Sequence, residues 1–200
     1  MLSSFVNRSI GLFFLILYSP IILLIAIWIK IDSPGRVIFS QTRIGKNRKP
    51  FTFYKFRTMW QDAREKYPEL YKYEYSETEI KKVKFKNSND PRITRAGAYL
   101  RMISLDELPN LINVFKGDMN LIGPRPEIPE MIKYYKPHQL KRFTVKPGIT
   151  GLAQVSGRGL LSVQKMIQYD IMYVRKKTFC LDVYLFWRTM FVVIKAWGAF

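Results

Sequence analysis

Residues 10–29 read IGLFFLILYSPIILLIAIWI and carry no charged side chain. At ~1.5 Å of rise per residue, a helix of this length reaches the ~30 Å of a bilayer's hydrocarbon core. A secretory signal would have a shorter apolar region and a small-residue cleavage site. Trp28, Lys30 and Asp32 follow here without such a site, so the segment reads as retained. Ser19-Pro20 interrupts it. Proline lacks the amide donor and clashes with the carbonyl four residues back, so the Ile16 carbonyl loses its partner and the helix bends or breaks. In lipid that carbonyl needs another donor, and the Ser19 hydroxyl or a water is the nearest candidate. Two readings remain: a kinked span, or a re-entrant hairpin that enters and leaves one leaflet. Flanking charge favours the hairpin. Residues 33–60 carry Arg36, Arg43, Lys46, Arg48, Lys49, Lys55 and Arg57 with no acid, and Arg8 lies on the other side. Two positive flanks place both ends on the cytoplasmic side.

The remainder of the chain is globular in composition. It has 200 residues, 48% hydrophobic and 15% aromatic, which is too apolar for disorder and long enough for one domain with a core. A single cysteine, Cys180, excludes a disulfide scaffold and a Cys-based zinc cluster. A single histidine, His138, excludes a multi-His metal site. Lys and Arg number 33 against 15 Asp and Glu, giving a net charge of +18 and pointing to an anionic partner. Nucleic acid, lipid headgroups and a phosphorylated substrate all fit that charge. Phosphate-loop, G-x-G-x-x-G, H-E-x-x-H and C-x-x-C motifs are absent, as are RNP, KH and helix-turn-helix signatures.

Residues 36–43 and 51–59, rich in β-branched and aromatic side chains around a polar IGKNRKP turn, predict a β-hairpin. Residues 64–88, dense in Lys, Glu and Tyr without a clean period, predict a mobile, partly helical excursion with a solvated face. Residues 95–102 predict a helix. Ser104 with Glu107 three residues on resembles a capping box, which predicts a second helix from there to a Gly117 stop, with Leu108, Leu111, Ile112 and Phe115 on its apolar face. The glycine-rich KPGITGLAQVSGRG, residues 146–159, reads as a loop. Residues 178–200 are mostly apolar, with Arg188 and Lys195 on one helical face and Trp187 and Trp197 suited to a headgroup boundary; this predicts an interfacial helix.

Acids are scarce, so the adjacent pair Asp106-Glu107 stands out. One reading is structural, because acids in a first helical turn complement the helix dipole. The other is chemical. A carboxylate can act as a nucleophile and form an acyl-phosphate, and a helix start favours phosphate. Phosphates and a carboxylate can meet only if cations neutralise them.

Four blocks decide for a family. SLDELPN (104–110), KGDMNLIGPRP (116–126), YKFRTM (54–59) and VKPGITGLAQVSGR (145–158), together with the Ser-Pro-broken helix, resemble the bacterial sugar transferases, the small monotopic phosphoglycosyl transferases. The likeness runs from about residue 5 to 197, in the family's block order. It implies transfer of a sugar-1-phosphate from a UDP-sugar to polyprenyl (undecaprenyl) phosphate, with release of UMP, a covalent phosphosugar-aspartate intermediate and Mg²⁺ as cofactor. Such a reaction initiates bacterial surface glycan assembly. By the same resemblance Asp106 is the nucleophile and metal contact, and Glu107 its partner. Lys55, Arg57, Arg101, Arg125, Arg158 and Asp170 are substrate-binding. The fold implied is α+β: residues 1–32 form a re-entrant membrane anchor, and residues 33–200 form a cytoplasmic, mostly helical catalytic domain with a small β-hairpin and interfacial amphipathic helices. The expected place is the cytoplasmic face of the bacterial inner membrane, in contact with anionic lipid and not with nucleic acid; a homodimer stays open. The competing readings are a membrane-tethered nucleic-acid binder, which gives no reason for Asp106-Glu107 beside Pro-Arg-Pro, and a silent membrane scaffold presenting a basic face to anionic lipid, which turnover would separate.

Overall fold

The computed structural model of the chain describes residues 4–83 and 90–194. Two helices, α1 (Ser4–Leu17) and α2 (Ser19–Asp32), open the chain and meet at a 60° bend. Pro20 lies in the first turn of α2, where its missing donor costs little. The Ser19 hydroxyl donates to the Ile16 carbonyl at 2.8 Å, the replacement expected from the sequence. No single helix is long and apolar enough to cross a membrane; only the bent pair together reaches that length and composition among the described residues.

The pair is not detached from the rest. One face of α1 packs on α6 (Asn110–Lys116), where Gly11 comes so close that a Cβ would stand 3.0 Å from the Phe115 nitrogen and from Val114 Cγ1. Arg8 donates to the Lys116 carbonyl at 3.0 Å and so closes the C-terminus of α6. The far end of α2 packs on α5 (Arg95–Met102), with Ile25 and Ile29 buried against Phe56 and Leu100. Asp32 Oδ2 accepts from the Ala96 amide at 3.2 Å.

The predicted hairpin forms as β1 (Ile38–Ile44) and β2 (Pro50–Phe56), antiparallel, with Ile38 opposite Phe56 and Ile44 opposite Pro50. Asn47 and Arg48 take positive φ in its turn. Asn113 of α6 fastens β2 from the side: its amide donates to the Thr52 carbonyl at 2.6 Å and accepts from the Tyr54 amide at 3.1 Å.

Three sequence expectations are corrected. The 64–88 excursion is partly helical with its described charged side chains exposed, as expected, but its other side is packed: Tyr73 and Tyr75 are half-buried. Short helices α3 (Ala63–Lys66) and α4 (Glu79–Lys82) bracket Tyr73 and Tyr75, and Ile80 is buried with Ile128, Met131, Val163 and Ile167; residues 84–89 lie outside the described residues. The aromatics have somewhere to go, so they bury. The second correction concerns the capping box. Ser104 has φ 60° and makes no cap hydrogen bond; residues Leu105–Glu107 form a separate 3₁₀ turn, and α6 starts only at Asn110. Its buried face is Asn110, Leu111, Asn113 and Val114, whereas Phe115 is exposed. Gly117 stops it as expected, at φ 87°. Third, residues 148–157 are not a loop. β4 (Gly148–Thr150) pairs in parallel with β3 (Asn120–Ile122), and α7 (Leu152–Gly157) follows. The contact is intimate because a Cβ on Gly148 would lie 2.1 Å from the Gly123 nitrogen.

Helices α8 (Val163–Lys176) and α9 (Phe179–Ile194) complete the chain. α9 buries Leu185 and Val192 and exposes Phe179, Tyr184, Trp187 and Ile194. Lys195 and Trp197 lie outside the described residues. The architecture is thus mostly helical with a small antiparallel sheet, as the α+β expectation held.

Candidate active site

The dyad sits on the 3₁₀ turn between α5 and α6, the two helices gripped by α2 and α1. Asp106 is 8% exposed. Burial pushes its carboxyl above the ordinary carboxylate range and neighbouring Glu107 adds to this, while Lys55, Arg101 and Arg125 pull the other way. Glu107 Oε1 receives Arg125 Nη1 at 2.6 Å. With Ser104 making no cap, and the turn standing ahead of the helix, dipole complementation no longer explains the pair.

Each cation comes from a different element. Lys55 is on β2, its ammonium 5.5 Å from the Phe39 ring centre. Burial, then Arg101, lower its pKa to about 8, and Asp106 partly offsets this. Arg101, in the last turn of α5, donates from Nε to Thr58 Oγ1 at 2.9 Å. Arg125 is raised above its usual value chiefly by Glu107. It lies between two prolines in the loop leaving β3, which fixes φ on both sides of it.

Two predicted residues stand elsewhere. Arg57 is buried away from the dyad. Its Nη2 donates to the Ser33 carbonyl at 2.7 Å and to Ser33 Oγ at 2.8 Å, and its Nη1 to the Pro34 carbonyl. Those groups lie in the turn just past α2, so Arg57 joins the bent helices to the hairpin and its guanidinium is already engaged there. Asp170 is fully buried on α8 and pairs with Arg142 at 2.6 Å. Burial pushes its carboxyl up to about 6 against the pull of Arg142. It supports the site from behind and presents nothing to it. The Arg158 side chain lies outside what the structure describes.

Sequence reasoning missed Arg43, Glu127, Tyr135 and Arg142. Burial, then Arg125, bring Arg43 down to about 10. Arg142 is 2% exposed and pairs with Glu127 at 2.9 Å. Nothing in the local text separated these residues from other surface cations and aromatics. Only the close spacing of Glu127 to Pro-Arg-Pro could have marked one of them.

A buried carboxylate facing lysine and arginines, beside a second carboxylate held by an arginine, can accept a phosphoryl group: it supplies a nucleophilic oxygen and neutralises the approaching oxyanions. Sequence comparison agrees with that chemistry. The sequence model of the bacterial sugar transferase family matches residues 1–196. An uncharacterized sugar transferase of Haemophilus influenzae is 38% identical over 96% of this chain and 40% of its own length. The exopolysaccharide production protein ExoY of Rhizobium meliloti is 35% identical over 93% of this chain and 82% of its own. The undecaprenyl-phosphate galactose phosphotransferase of Salmonella typhimurium is 37% identical over 99% of this chain and 42% of its own. The chain therefore spans about two fifths of the longer relatives.

Proposed function

Since the chain belongs to the bacterial sugar transferases, we propose that it moves a sugar-1-phosphate from a UDP-sugar to undecaprenyl phosphate, releasing UMP, at the cytoplasmic face of the inner membrane. The observation that carries this reading is Asp106, buried at the meeting point of Lys55, Arg101 and Arg125 with Glu107 tied at its side. The relative from Salmonella, named for undecaprenyl-phosphate galactose phosphotransfer, supports the choice of acceptor.

Two displacements account for the reaction. An Asp106 carboxylate oxygen attacks the sugar-bearing phosphorus of the donor. The bond from that phosphorus to the bridging oxygen breaks, and UMP leaves with the oxygen and its electron pair. An ionised oxygen of undecaprenyl phosphate then attacks the same phosphorus. The acyl-phosphate bond breaks, and the Asp106 carboxylate is restored. Burial raises the basicity of Asp106, which strengthens the nucleophile, while the surrounding cations keep its anion affordable and hold the phosphate oxygens. Glu107, held by Arg125 at 2.6 Å beside Asp106, is positioned to assist the acceptor.

Among the described residues no three or more His, Cys, Asp or Glu side chains group together. The adjacent carboxylates of Asp106 and Glu107 suit Mg²⁺, which binds through one or two carboxylates and completes its shell with substrate phosphates and water. Asp106, with Glu107, would hold it. When bound it supplies charge neutralisation across the diphosphate.

The bent helices expose Phe5, Phe13, Ile16, Leu23, Leu24 and Ile31, a surface that water does not favour. A re-entrant anchor with both ends cytoplasmic satisfies it and sets the dyad at headgroup depth, where a soluble donor and a lipid-borne phosphate can both arrive.

The test is mass spectrometry of the protein with Mg²⁺ and a panel of UDP-sugars. A sugar-phosphate adduct on Asp106, absent in Asp106→Asn, together with UMP release that needs Asp106, is expected. Turnover that persists in Asp106→Asn, or kinetics requiring both substrates bound at once, overturns the covalent route.

A further inference from the structure

The geometry points to Arg142 as the positioning residue for Arg125, with Tyr135, Glu127 and Asp170 forming the buried assembly that holds Arg142 in place. This rests on the reading of Arg125 as part of the site above. The main chain of Pro124–Glu127 is held along its whole length. All four consecutive carbonyls in this segment are engaged. The Pro124 carbonyl accepts from the Gly148 amide at 2.9 Å, and the Glu127 carbonyl from the Ile44 amide at 2.8 Å. The two between them are held by side chains. Arg142 Nη2 reaches the Arg125 carbonyl at 2.8 Å, and Arg43 Nη1 reaches the Pro126 carbonyl at 3.3 Å. Prolines at 124 and 126 fix the backbone on either side of Arg125. The segment that aims the guanidinium at Glu107 is therefore clamped at every peptide.

Arg142 makes the shorter of the two side-chain clamps, and it is the more expensive group to bury. At 2% exposed, a guanidinium requires compensation. It has Glu127 Oε2 at 2.9 Å, Asp170 Oδ2 at 2.6 Å and the Tyr135 hydroxyl oxygen. Tyr135 in turn donates to Glu127 Oε2 at 2.6 Å. A buried ion cluster is a poor way to gain stability, because apolar residues of equal volume often do as well or better. Here the cluster ends on the carbonyl of Arg125, whose side chain grips Glu107 of the dyad. From one nitrogen its planar fork hydrogen-bonds Glu127 and Tyr135, and from the other it hydrogen-bonds the Arg125 carbonyl and pairs by charge with Asp170, which a single-pronged ammonium cannot reproduce.

A double-mutant cycle tests this. Arg142→Lys is expected to lower kcat/KM for the UDP-sugar donor by about tenfold or more in the wild-type background. In the Arg125→Ala background it is expected to add almost nothing, because the side chain it positions is gone. Tyr135→Phe, which keeps the charges paired, should show the same coupling with a smaller loss and serves if Arg142→Lys does not fold. Independent losses that simply multiply would overturn the proposal and leave Arg142 a residue of the core. Amide hydrogen exchange at Gly148 and Ile44, which donate to the Pro124 and Glu127 carbonyls, reads the clamp without turnover: faster exchange at both in Arg142→Lys, at unchanged rates in the rest of the β1–β2 hairpin, is expected, and unchanged exchange at both amides overturns it. A wild-type protein that releases no UMP would instead refute the transferase reading, and the exchange result would still decide the clamp.

Discussion

Gly97 offers a sharp test of how α5 is seated. A Cβ at this position would stand 2.1 Å from the Thr58 carbonyl oxygen and 2.7 Å from both Thr58 C and Cα. These are backbone atoms and cannot rotate aside. In Gly97→Ala, α5 has to retreat from the Thr58 backbone, just past β2, by about 1 Å to reach contact distance, an overpacking change of ~1–3 kcal/mol. At this chain length each kcal/mol lowers the melting midpoint by roughly 2–4 °C. Thr58 also accepts from Thr94 N at 3.1 Å and from Arg101 Nε at 2.9 Å, so the retreat loosens the start of α5 and the aim of Arg101 together. Displacements near 1 Å cost about 100-fold in rate when they move reacting groups. The assay is UMP release at a temperature well below both melting midpoints, alongside calorimetry. Loss of both stability and rate is expected. A variant that melts early yet turns over normally would show that Arg101 does not depend on this seat, and one unchanged in both would refute the packing argument.

Three further outcomes follow from the same geometry. With Lys55 near pKa 8, kcat/KM for the donor should fall as pH rises through that value, because the neutral amine no longer attracts phosphate; Lys55→Arg keeps its charge and should move that limb upward, and an unmoved limb would assign it elsewhere. Arg57→Ala strands the Ser33 and Pro34 carbonyls, so a loss of about 2–3 kcal/mol in a denaturant series is expected, with donor KM little changed in the folded fraction. Gly117→Val forces a β-branched side chain into φ 87° and pushes Arg8 off the end of α6, where a Cβ would lie 2.5 Å from Arg8 Nε; a drop of at least about 1 kcal/mol should appear, and Gly117→Asn should recover only part of it, because Asn tolerates the φ but carries the same Cβ.

What the sequence made legible was local. The Ser-Pro break and its hydroxyl repair, the hairpin, the helix at 95–102 and the Gly117 stop all follow from a few neighbouring residues, and the structure has each of them. The dyad was legible because acids are rare in this chain. Its setting was not: Ser-x-x-Glu has the letters of a cap, but the tight passage from α5 drives Ser104 to φ 60° and spoils the geometry. The cations were least legible. Lys55 and Arg57 are two residues apart in the same block, yet β2 turns the first towards Asp106, while past its end the second sinks into the Ser33–Pro34 corner. Asp170 and Arg142 are 28 positions apart, and only the packing of α8 on the 137–144 turn unites them. Partners separated that far in the chain leave no mark on either neighbourhood.

The hold of α1 on α6 and of α2 on α5 has a practical corollary for anyone handling this enzyme. Its greasy prongs are also the jig in which the reacting pair is mounted. Clipping them away to obtain a well-behaved aqueous fragment would discard part of the vice along with their apolar surface. The same linkage lets a solubilising micelle of the wrong girth detune the chemistry without meeting a single reacting atom.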